Sequence, residues 1–117
     1  METMNTEEIK EHFINYTIKQ SHASHEGNGK KANQYHKKIW ELYHRAKEQN
    51  CIEIFKEFLD NPNENTRIWA AGFSYRTAPK SAIKVLKVLS KSSDPMIWLS
   101  AKATLESFDN GEWKLLL

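Results

Sequence analysis

The chain has 117 residues, enough for one domain, with 39% hydrophobic residues and four tryptophans to build a modest core. Four glycines and three prolines argue against a loop-rich or all-β fold, and a single cysteine, Cys51, excludes an internal disulfide framework and a cysteine-based zinc site. The net charge of +2 is unevenly spread: residues 1–29 sum to −3, 30–50 to +4, 51–63 to −2, 64–92 to +5 and 93–117 to −2, so the chain is not uniformly basic but holds two basic helical regions.

The pattern predicts a first helix from Asn5, an N-cap candidate with Glu8 completing a capping box. Ile9, Phe13, Tyr16, Gln20 and Ala23 follow at helical spacing. It should fade before HEGNGKK, where Gly27 and Gly29 suit a helix–helix turn. The second helix carries Ala32, Tyr35, Ile39, Leu42, Tyr43 and Ala46 on one face and should end near Gln49. Asn50 is expected to cap a short third helix, with Glu53 as partner and Ile52, Phe55, Phe58 and Leu59 as its apolar face.

Pro62 holds Asn61 extended and stops that helix, and Asn63 then caps a fourth, with Ile68, Ala71, Gly72 and Tyr75 as its stripe. Gly72 costs about 1 kcal/mol in helix propensity against alanine, which implies close approach of a neighbouring helix. Pro79 opens a fifth helix whose Ala82, Val85, Leu86 and Leu89 face inward. Asp94 and Pro95 repeat the device for a sixth, marked by Trp98, Ala101, Leu105 and Phe108 and ended by Gly111. The residual tail, EWKLLL, is expected to fold back over the last helix pair, with burial against a second copy as the alternative. Leu59 and Leu89, Ala71 and Ala101, Ser74 and Thr104, and Tyr75 and Leu105 form a weak repeat at roughly 30 residues. One helix pair cannot bury its stripe alone, so the reading is a single all-α domain over residues 1–117. It comprises about six helices in a short right-handed HEAT/armadillo-like α-α superhelix, with residues 111–117 as a C-terminal tail.

ANQYHKKIWELYHRAKEQ, LDNPNENTRIWAAGFS, TAPKSAIKVL and AKATLESFDNGEW, in that order, resemble a family of small bacterial armadillo/HEAT-like helical proteins. That family is catalogued only as a domain of unknown function, number two thousand and nineteen in its series. The likeness covers about residues 7–114, and its most specific part is the Asn-Pro turn followed by Arg67, Ala70, Ala71, Ala78, Pro79, Ala82 and Leu86. The family's tryptophan before the final glycine is replaced by Phe108, with Trp113 after the glycine. The resemblance implies a fold and a binding partner among other proteins, including a role of the immunity or antitoxin kind, and carries no catalytic residues.

No acid/base, nucleophile or phosphate-loop constellation is present, so the chain is read as a non-enzyme without cofactor. His22, His25 and Glu26 share a helical face but make an open, poor metal site, and Cys51 reads as a small hydrophobe at a helix cap. Arg67 is expected to pair with the preceding turn, near Asp60. The leading function is protein binding, through the face formed by the even-numbered helices. Trp40 and Trp69 each lie one step off their stripes, and with Phe73 and Arg76 they are the interface candidates, because tryptophan and arginine are enriched at binding hot spots. The alternative is nucleic-acid binding through the basic second and fifth helices, where Lys80, Lys84, Lys87 and Lys91 make a stripe that could track phosphates. The polar, acidic N-terminus is unlike a signal peptide, and no apolar run reaches the roughly 18 residues of a membrane span. A cytoplasmic protein, monomer or weak homodimer, with no membrane association, is expected.

Overall fold

The computed structural model describes residues 4–117; Met1, Glu2 and Thr3, and with them the Glu2 charge, lie outside the described residues. Among the described residues the fold is all-α, with no strand. The helices are α1 (Thr6–His25), α2 (Gly29–Glu48), a 3-10 helix (Ile52–Phe58), α3 (Glu64–Phe73), α4 (Pro79–Leu89), α5 (Pro95–Asp109) and α6 (Glu112–Leu116). No described helix is long and apolar enough to cross a membrane. The chain divides into two compact units, Met1–Ile54 and Phe55–Leu117.

The first unit is an antiparallel helix hairpin. Asn5 opens α1 with the expected capping box: its side chain accepts from the Glu8 amide at 2.9 Å, and Glu8 reaches back to the Asn5 amide. Gly27, at φ 76°, then closes the helix in a Schellman motif: its own amide donates to the Ser24 carbonyl, and that of Asn28 to Ala23. Asn28 immediately caps α2. Ile9, Phe13 and Ala23 of α1 and Ile39, Leu42, Tyr43 and Ala46 of α2 are buried. So is Thr17, a polar residue that the periodicity skips; its hydroxyl is satisfied by the Phe13 carbonyl at 2.9 Å. The Gln49 amide group donates to the Met4 carbonyl at 2.7 Å and fastens the open end of the hairpin.

Asn50 does not cap the third helix. It sits at φ 57° as the left-handed residue of a second Schellman motif, with Asn50 N–H on Lys47 O and Cys51 N–H on Ala46 O, so its conformation terminates α2. The segment that follows winds as 3-10, and within it Ile54, Phe55 and Phe58 are buried.

In the second unit, the Asn63 side chain caps α3 by accepting from the Thr66 amide at 3.0 Å, and Asp94 caps α5 from Met96 at 3.0 Å. Pro79 and Pro95 occupy first-turn positions, where the missing amide costs nothing. The core joins Ile68 and Ala71 of α3, Ala82, Leu86 and Leu89 of α4, and Ile97, Ala101 and Phe108 of α5. Ala71 and Ala101, paired in the sequence repeat, both lie in this core, but Ser74 ends α3 whereas Thr104 lies inside α5.

The tail folds back within this unit as α6. A Cβ placed on Gly72 would meet Trp113 Cζ2 at 2.5 Å, so only glycine admits the indole there. The approach expected at Gly72 is real, but the visitor is the tryptophan of α6. Its Nε1–H donates to the Gly72 carbonyl at 2.8 Å, its ring lies 6.1 Å from Phe108, and Phe108 stacks on Tyr75 at 4.0 Å. Leu117 is buried, whereas Leu115 and Leu116 are exposed.

Candidate functional site

α3 decides the fate of two interface candidates. Every residue from Ile68 to Ser74 on it is buried. Trp69 is 8% exposed and Phe73 1% exposed. Phe73 lies 5.0 Å from Phe55 in an edge-to-face contact, and Trp69 is 5.5 Å from Phe73. Both are therefore core residues, not surface anchors. Lying one step off the stripe had no diagnostic value, because this helix is covered on nearly every side.

Arg76 is exposed, but its guanidinium is engaged inside the chain: Nη2 donates to the Lys114 carbonyl at 2.9 Å and helps hold α6 in place. Arg67 forms no ion pair with Asp60, and its Nε is buried without a hydrogen-bond partner, as is the hydroxyl of Ser74 one helical repeat further on. Trp40, in the first unit, remains half-buried. It stacks on His44 at 5.8 Å and meets Tyr43 edge-on at 6.1 Å, so part of its ring is already covered by its own helix. His36, one turn earlier, keeps an exposed surface, yet is desolvated enough for its pKa to fall below the usual imidazole value. His25 Nδ1 bonds the Ser21 carbonyl at 2.6 Å at the exposed end of α1. Cys51 is a half-buried free thiol in the turn after α2.

The lysine stripe is where the sequence places it. Lys80, Lys84, Lys87 and Lys91 are all exposed, and among the described residues none meets a carboxylate. At 100° per residue Lys80, Lys84 and Lys87 fall within an arc of about 60° on α4, opposite the buried Ala82, Leu86 and Leu89, and Lys91 follows in the turn after the C-cap Ser90. Ile83 and Val88 border the row, one on each side, each about 40° beyond its edge. Val88 is 60% exposed and Ile83 half-buried. Together these six residues form one outward strip of α4 and the turn after it, with shallow space between their side chains. The sequence stripe missed these aliphatic borders, although the 3.6-residue period alone places them.

This row works against the helix that carries it. Lys80 and Lys84, and Lys84 and Lys87, are neighbours of like charge on α4, each pair unfavourable by about 0.2–0.5 kcal/mol. Lys80 stands near the positive end of the helix dipole, α4 contains no acidic residue, and its N-cap, Ala78, offers no side-chain hydrogen bond. Lys87, in the last turn, and Lys91, just beyond it, gain from the dipole, so the unfavourable part of the row is its N-terminal end and its like-charge spacing. A surface that breaks local rules is where function is to be sought.

No family model, curated protein or solved structure matches the chain.

Proposed function

We propose that the protein is a non-catalytic binding module that docks an acidic segment of another protein along the outer face of α4. The observation that carries this reading is the row of four exposed, unpaired lysines bordered by Ile83 and Val88. Such a face offers charge complementarity together with aliphatic area that a partner side chain covers. An immunity-like role against an acidic protein is one form it takes. The armadillo/HEAT-like resemblance supports the same reading, since such proteins commonly work by presenting helical surfaces.

Nucleic-acid binding is the second reading, favoured by the same unpaired cations. The row contains no arginine to fork onto guanine and no aromatic ring on which a base would stack, and a phosphate backbone makes no use of valine and isoleucine.

The test is fluorescence anisotropy with labelled polyglutamate and a labelled DNA duplex at about 0.15 M salt. Polyglutamate is expected to bind more tightly than the duplex. Its binding should be lost in Lys80/Lys84/Lys87/Lys91→Gln and kept in a control with Lys30/Lys31/Lys37→Gln. Preference for the duplex, lost with the α4 lysines, supports nucleic acid instead, and loss with the control variant removes α4 from the account.

A further inference from the structure

The spacing of the lysines specifies more than charge. Lys80, Lys84, Lys87 and Lys91 recur by four, three and four residues, the spacing by which one helix meets another along a packing seam. Ile83 and Val88 hold the positions that flank such a seam. We infer that the occupant of this face is an α-helix of the partner protein, with carboxylates on the matching four-three-four positions and aliphatic side chains on both flanks. This rests on the acidic-partner reading above and narrows it to one secondary structure.

The geometry favours a helix over an extended strand. From Lys80 to Lys87 the row runs about 10 Å along α4, two helical turns, and stays straight, because the drift of a 3.6-residue helix from this spacing is only about 20° per heptad; Lys91 extends it into the turn after the helix. A helix laid along it brings a carboxylate opposite each ammonium at a repeat of one turn. Its flanking leucines or valines then cover Val88 and the open side of Ile83. An extended acidic strand repeats same-face side chains every two residues, about 7 Å, and falls out of step with lysines spaced by one 5.4 Å turn. It also presents its apolar residues to the opposite face instead of to both borders.

Three labelled peptides, the first two of equal composition, separate the possibilities. The first is alanine-based and helix-forming, with glutamates at the four-three-four positions and leucines on either side. The second scatters the same residues around the helix. The third keeps the first pattern but is broken by a central proline. The patterned peptide is expected to bind at least about tenfold more tightly than the other two, a difference of ~1.4 kcal/mol, and to gain helical ellipticity on binding. Lys84→Glu with Lys87→Glu should remove that binding, and a patterned peptide with lysine at the two facing positions should restore it. Val88→Ser, on an exposed position, should weaken the patterned peptide while leaving the salt dependence unchanged. Equal binding of all three peptides overturns the helical inference and leaves the acidic-partner reading standing. Failure of all three together with polyglutamate overturns both.

Discussion

α3 and α4 are consecutive in the second unit, ten and eleven residues long, and they use their surfaces in opposite ways. α3 buries all of Ile68 to Phe73, with Trp69, Phe73 and Gly72 facing different neighbours. α4 buries one side and offers the other to solvent as unpaired lysine. The lesson is that an aromatic residue off the main stripe is informative only on a helix with a free side. On a helix covered all round, large rings are what fill the space. The charge pattern discriminates better: α3 has one acidic residue in its first turn and one arginine, whereas α4 puts three lysines into eleven residues.

The contrast breaks most clearly at Phe73. Phe73→Ala should cost about 3–5 kcal/mol in denaturant unfolding, because a fully buried ring leaves a cavity. Lys84→Ala should change stability by no more than about 0.5 kcal/mol. Comparable costs for the two would erase the distinction between a buried and a free helix. Gly72→Ala comes next. The added methyl displaces the Trp113 indole and should destabilise by about 1–3 kcal/mol, despite the gain in helix propensity. In a Trp113→Ala background the same substitution should lose most of that cost, so the double-mutant cycle reads the contact directly. Asn63→Ala removes the α3 cap and should cost about 1 kcal/mol, while Ala78→Ser, giving α4 a cap it lacks, should stabilise by a smaller amount. Smallest of all, Lys84→Gln should be neutral or stabilising by about 0.2–0.5 kcal/mol at low salt, with the gain fading as salt rises. A loss of stability there would mean that the lysine row is paired after all.

Much of this fold was legible residue by residue. Asn5, Asn63, Pro79, Asp94 and Pro95 mark helix starts, and Gly27 and Gly111 helix ends, because each acts through its own backbone or the next turn. Asn50 was misleading for the same local reason: asparagine suits both an N-cap and a left-handed C-terminal position, and only the geometry of the preceding turn chooses. What local rules do not contain is how completely a helix is covered. Phe73 packs against Phe55 from the 3-10 segment, and the engagement of Arg76 by the Lys114 carbonyl spans 38 residues. The expected Arg67–Asp60 pair failed likewise, because proximity in sequence did not bring the two groups into contact. The exposure of the lysine row was legible because exposure on one face of a helix is itself a periodic property.

The seat of Trp113 on Gly72 sets a clock for the end of the molecule. Five residues are too few to hold a helix by themselves, since the first turn costs more order than its hydrogen bonds return. α6 is therefore held by its contacts with the rest of the unit, the docked indole foremost, with the Arg76 bond to the Lys114 carbonyl and the buried Leu117 beside it. The hydrogen-bonded amides of Leu115 to Leu117 exchange with solvent chiefly when that ring departs. Deuterium uptake over these residues should rise together in Gly72→Ala, as one cooperative event, well before the amides of α5 begin to follow.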